Sequence, residues 1–142
     1  MNYLSKDAKE TQKIATNFAR NLKGGEILAL IGNLGSGKTT FLQGLARGLG
    51  IKKRILSPSF VLIRSQPIPS HKPLTTFHHI DLYRLEGKIN VKDLGLSEIF
   101  GDPTLIIAIE WAEKIKNQLP KGTIFINFEY IDETTRKIDI RR

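Results

Sequence analysis

Residues 32–39, Gly-Asn-Leu-Gly-Ser-Gly-Lys-Thr, fit the spacing G-x-x-x-x-G-K-[ST], a pattern whose parts suit a bound polyphosphate. Gly32, Gly35 and Gly37 open backbone angles closed to other residues, so successive N–H groups can turn inward around an anion. Lys38 offers a point charge to the β- and γ-phosphates, and the Thr39 hydroxyl offers an oxygen to Mg²⁺. Thr40 stands one place too late for that role. An apolar run at residues 105–109 ends in Glu110, and an acid at the end of such a strand is placed to hold the same metal. His78, His79 and Asp81 are close enough in sequence to raise the question of a metal site. Adjacent side chains on a strand point to opposite faces, however, so one histidine paired with a carboxylate is the expected arrangement.

The segments around these residues must bring them together. Residues 26–31 read as a buried strand, apolar enough to be covered on both faces as in parallel α/β sheets. After the glycine loop, Phe41, Leu45 and Leu49 recur at four-residue spacing, the mark of a helix, which Gly48 and Gly50 close. Ahead of the strand, Ser5 is the expected N-cap of a helix running to about Leu22, ended by Gly24-Gly25; Thr11 falls within it. Strands are expected over 60–63, 75–82 and 105–110, an exposed proline-containing loop over 66–73, and a short helix over 86–94 leading to a connection at 95–101. A short helix over 112–119 stops at Pro120, and strands over 123–130 and 136–140 form an antiparallel hairpin. The expected fold is therefore α/β, a P-loop NTPase-like three-layer sandwich with a mostly parallel central sheet and a C-terminal antiparallel hairpin, in one domain spanning 1–142.

Composition bounds the function classes. With 142 residues, 40% hydrophobic and 25% charged, the chain suits one globular core. Having no cysteine, it has no disulfide, thiolate metal site or thiol nucleophile. No apolar run approaches the roughly 20 residues that span a bilayer, and the N-terminus has no signal pattern; a cytoplasmic location without membrane contact is expected. The net charge of +8 is unevenly laid out: residues 27–80 carry seven bases and no acid, while 81–113 carry seven acids against three bases. The phosphate-binding half is thus basic, and the stretch after it can supply carboxylates. A further basic cluster comprises Arg136, Lys137, Arg141 and Arg142. This charge is either solvated surface or an attraction for RNA or an acidic protein.

No N-K-x-D segment is present to read guanine, because Asn90-Val91-Lys92-Asp93 has the wrong spacing; ATP is the expected nucleotide. The loop, Lys38, Thr39 and a strand-end acid describe any phosphoryl-transfer enzyme. Hydrolase and kinase differ in the acceptor, and a chain this short leaves little room for an acceptor pocket and lid. A small P-loop kinase acting on a small molecule or polynucleotide end is the alternative, and a non-catalytic RNA-binding module the third class.

Four motifs in order, G-N-L-G-S-G-K-T-T, S-P-S-F, H-x-D-L-Y-R from His79 and I-E-W from Ile109, together resemble the TsaE (YjeE) family. That family is the small ATPase of bacterial tRNA N6-threonylcarbamoyladenosine synthesis. The resemblance implies that Thr11 approaches the adenine end of ATP. Gly32, Asn33, Leu34, Gly35, Ser36, Gly37, Lys38, Thr39 and Thr40 would wrap the phosphates, with Thr39 and Glu110 on Mg²⁺. Asp81 matches the family's essential aspartate, with a role in positioning water or supporting the metal; with Lys38 and Glu110 it makes the catalytic set. Residues 57–60 match a mobile switch-like segment, and Tyr83, Arg84 and Trp111 match residues near the nucleotide or partner surface. Asn33 stands where the family usually has an acid and Ser59 where it usually has threonine. The partners implied are the TsaD–TsaB transferase pair, with tRNA engaged indirectly through that complex and ATPase activity weak in the chain alone.

Overall fold

The computed structural model describes residues 1–52, 63–69 and 75–142. The chain begins with strand β1 (Asn2–Ser5) and helix α1 (Ala8–Ala19). The cap is Asp7, not Ser5: the Asp7 carboxylate accepts the Glu10 amide at 2.8 Å. Ser5 is buried at the end of β1, its hydroxyl engaged with Asp7 O and the Thr11 hydroxyl. The helix ends at Ala19, short of Leu22. Beyond it the chain closes on Pro103, where a Cβ on Gly24 would lie 2.4 Å from the Pro103 carbonyl.

Strand β2 (Ile27–Ile31) leads through the glycine loop into α2 (Lys38–Gly48), as the sequence implies. Next come β3 (Ile63–Ile68), β4 (Thr75–Asp81), a four-residue helix α3 (Leu96–Ile99) and β5 (Leu105–Glu110). A 3-10 helix (Ala112–Gln118) precedes β6 (Ile124–Tyr130) and β7 (Arg136–Arg141), which form the expected hairpin. Three expectations need correction. Residues 66–68, read as loop, belong to β3; Pro67 is tolerated because β3 is an edge strand. Residues 86–94 form turns instead of a helix, since Gly87 takes φ +72° and the Asn90 side chain accepts the Lys92 and Asp93 amides. The only helix in this region is α3, inside what was read as a connection. The expected strand over 60–62 and the segment 57–60, with Ser59, lie outside the described residues.

The seven strands form one mixed sheet, ordered β1-β7-β6-β2-β5-β4-β3. Its centre, β6-β2-β5-β4, is parallel, but three of the six pairings are antiparallel, so "mostly parallel" holds for the middle alone. Alternation along β2 feeds two cores: Leu28 and Leu30 pack with α1 and α2, while Ile27 and Ala29 pack with Leu96, Ala112 and Ile115. The sheet is thus covered on both faces. On the first face α1 and α2 touch backbone to backbone, for a Cβ on Gly44 would lie 2.4 Å from Gln12 O. The Thr16 hydroxyl, which donates to Gly44 O at 2.9 Å, ties the two helices there. Among the described residues no helix is long and apolar enough to cross a membrane.

Candidate functional site

Parallel neighbours end on the same side of a sheet, so the chain segments leaving β2, β4, β5 and β6 gather at one edge. There the glycine loop turns from β2 into α2. Gly35 and Gly37 take φ +75° and +105°, the left-handed region that glycine enters without cost. Gly37 is also the N-cap of α2, with no side chain satisfying the first amides, so these donors and the positive end of the helix dipole are free for an anion. At Gly32 a Cβ would meet Ser36 Oγ at 2.6 Å and Phe128 O at 2.9 Å. The loop can therefore fold this closely only with glycine there.

Lys38 opens α2 and is 5% exposed. Its Nζ donates to Gly32 O at 2.5 Å and sits 3.7 Å from the centre of the Trp111 ring, a cation–π contact. Burial pushes the ammonium pKa down, against the opposing pull of Glu110, Glu113 and Asp81. Trp111 is the only described non-glycine residue with positive φ, at 59°. A bulky side chain there is a strained exception; the turn swings the indole from the end of β5 over Lys38. Tyr83 packs against the same ring, centroids 5.2 Å apart.

Asp81 and Glu110 are register partners at the ends of the parallel strands β4 and β5, so their carboxylates leave the sheet on one face. Glu110 is 4% exposed and its Oε2 lies 2.7 Å from His79 Nε2. Histidine–carboxylate pairing is thus realised at His79, while His78 meets Ser65 instead. Asp81 Oδ1 accepts the Tyr83 amide at 2.9 Å. Burial chiefly raises the Asp81 pKa, helped by Glu110 and opposed by the Tyr83 amide, His79 and Lys38.

These groups line one cavity of about 900 Å³. It brings together ten of the residues singled out in the sequence: Thr11, the loop from Leu34 to Thr40, Asp81 and Glu110, joined by Tyr83, Arg84 and Trp111. Thr11 is buried and its hydroxyl lies 2.6 Å from Ser5 Oγ. Gly32 and Asn33 lie outside the lining, Gly32 behind the loop and Asn33 facing solvent. Sequence reasoning missed Asp7, Ala8, Leu85, Glu133, Thr134 and Arg136, which complete the wall. Arg136 donates from Nε to Gly35 O at 3.0 Å, across 101 positions of chain. The signal was latent in topology: once β6 lies parallel to β2, its C-terminal turn must sit beside the glycine loop.

The oxygen donors fit Mg²⁺ better than a protein-caged metal. Among the described residues no three His, Cys, Asp or Glu side chains cluster to hold an ion. One hydroxyl (Thr39) and one carboxylate (Glu110) on this cavity suit an ion that keeps waters and borrows phosphate oxygens.

Fold and site define a class: an α/β protein in which a glycine loop with uncapped helix amides shares one cavity with two strand-end carboxylates. The profile of the TsaE family, described as threonylcarbamoyl adenosine biosynthesis protein TsaE, matches residues 5–138. The chain is 36% identical over 141 residues to the Treponema pallidum tRNA threonylcarbamoyladenosine biosynthesis protein TsaE, covering 99% of both chains. It is 37% identical over 130 residues to the Bacillus subtilis protein of the same name, covering 92% of this chain and 78% of the relative. A crystal structure of Bacillus subtilis YdiB superposes with a TM-score of 0.75 at 33% identity, covering 97% of this chain and 82% of that one. The chain belongs to the TsaE family.

Proposed function

We propose that this chain is the ATP-binding and ATP-hydrolysing component of cytoplasmic tRNA threonylcarbamoyladenosine modification, acting on a TsaD–TsaB transferase pair and reaching tRNA through it. The observation that carries the reading is convergence. The loop amides, Lys38, Thr39 and two carboxylates from different strands open into a single cavity large enough for a nucleotide.

Phosphoryl transfer asks a protein mainly for positioning and charge stabilisation. The free amides at the start of α2 and the Lys38 ammonium would grip the β- and γ-phosphates, Lys38 exchanging Gly32 O and the indole face for phosphate oxygens. Thr39 and Glu110 would hold Mg²⁺, which supplies charge neutralisation to the phosphate oxygens when bound. Asp81, whose raised pKa makes its carboxylate the stronger base once ionised, would orient a water and take its proton as that water attacks. Thr11, Glu133, Thr134 and Arg136 wall the part of the cavity beyond the loop, where the nucleoside would lie.

Phosphate release is the test, measured with and without the transferase pair. Slow release alone and clear acceleration by the pair are expected; an unchanged rate would remove the partner role. Lys38→Ala should abolish ATP binding or turnover, and an unaltered ATP titration would remove the loop assignment. Phosphate passed to a small molecule instead of water would favour a kinase.

A further inference from the structure

We infer that His79 is a positioning residue that fixes the Glu110 carboxylate for a divalent cation; this rests on the magnesium site proposed above. Glu110 is buried beside the cavity, and a buried carboxylate needs a partner to stay charged and in one rotamer. His79 provides it from the adjacent strand, with Nε2 2.7 Å from Oε2 and both side chains almost fully enclosed. No partner for Glu110 Oε1 is found among the described residues, so one oxygen is anchored and the other is available to the cavity.

The other ring nitrogen points to the tautomer. His79 Nδ1 is buried and has no hydrogen-bond partner among the described residues. A buried N–H without an acceptor is rarely tolerated, whereas a bare lone pair costs less. The proton therefore sits on Nε2 and is donated to Glu110. Donation from Nε2 holds Oε2 in place and leaves Oε1 toward the cavity, which is what a cation on Oε1 requires. The arrangement also uses strand register. Glu110 lies opposite Asp81, and His79, two residues before Asp81 on the same face, reaches Glu110 diagonally and leaves the cavity side open.

The test compares calorimetric ADP titrations in MgCl₂ and in EDTA for the full chain, His79→Phe and His79→Gln. Outer partners of metal ligands commonly contribute 10–100-fold in metal affinity. His79→Phe should thus weaken the Mg²⁺-dependent part of ADP binding by roughly ten- to a hundredfold while the EDTA value stays unchanged. Glutamine, which restores an N–H donor, should recover most of the loss. A full Mg²⁺ response in His79→Phe, equal defects in both variants, or a parallel fall in EDTA would each overturn the inference. If the unaltered chain binds ADP with no Mg²⁺ response, the magnesium site itself is refuted and His79's role falls with it. Nitrogen-15 NMR of the unaltered chain needs no variant: the Nε2–H tautomer is expected for His79, and the Nδ1–H tautomer would overturn the assignment.

Discussion

Lys114 holds the wall of the cavity in a way that can be measured. Its ammonium donates to three carbonyls of one turn, Leu82 O at 3.0 Å, Tyr83 O at 2.8 Å and Leu85 O at 2.8 Å. That turn follows Asp81 and carries Tyr83, Arg84 and Leu85 into the site. Lys114→Met keeps the aliphatic stem and removes the charge. Hydrogen bonds to charged groups contribute about 1.5–3 kcal/mol each; the bond to Tyr83 O is exposed and is counted as zero, because water replaces it. The two part-buried bonds then give about 3 kcal/mol, from which up to about 2 kcal/mol of recovered lysine rotamer entropy is subtracted. A net loss of about 1–3 kcal/mol corresponds to a fall in Tm of roughly 3–12 °C for a chain of this size. The chain has one tryptophan, and its ring packs on Tyr83, so the emission of Trp111 should shift to the red as the turn loosens. Thermal denaturation followed by fluorescence reads both effects. A Tm within about 1 °C of the parent and unshifted emission would show that the three bonds seen here carry no weight.

Two further perturbations probe the site and the scaffold. Because burial raises the Asp81 pKa in the folded chain, the unfolded state ionises first, and stability is lost as pH rises from the ordinary carboxylate range through the folded value. Asp81→Asn should therefore raise Tm at neutral pH while slowing hydrolysis. The advantage should shrink below about pH 4, where both states are protonated, and an advantage independent of pH would contradict the assignment. Gly44→Ala sets a helix-propensity gain of about 1 kcal/mol against overpacking of about 1–3 kcal/mol where its Cβ meets Gln12 backbone. Net destabilisation in urea is expected, and equal or greater stability would mean that α1 moves aside freely.

Local features of this chain were legible because their causes are local. The glycine loop, the apolar runs of β2 and β5 and the helical spacing of α2 each specify themselves within a dozen residues. What escaped depends on distant neighbours. The first strand is four residues long, and only its pairing with β7 makes Asn2–Ser5 a strand. Pro67 argues for a loop unless β3 is known to lie at the sheet edge. The short helix expected over 86–94 is the exception, a local miss: Gly87 and Asn90, both within the segment, enforce turns. The same division runs through the site. Lys38, Thr39 and Glu110 are readable from type and spacing, and Asp81 from the family resemblance. Arg136 and the identity of the carboxylate paired with His79 emerge only from strand order and register.

The backbone twist at Trp111 bears on what the loop would accept under the proposed function. The indole is mounted on a stiff corner, so a newcomer must take the ammonium from its existing partners, Gly32 O and the ring face. Those contacts are a fixed toll on every visitor. A lone phosphate reaches little beyond the loop amides and Lys38, and has scant means to offset the exchange. On the proposed function a polyphosphate tail would reach the loop amides, Lys38 and a cation held by Glu110 together, and so would have more contacts with which to offset that exchange. A preference for longer phosphate chains would then need no group dedicated to counting phosphates, only the indole corner at Trp111 and the carbonyl of Gly32 holding the ammonium.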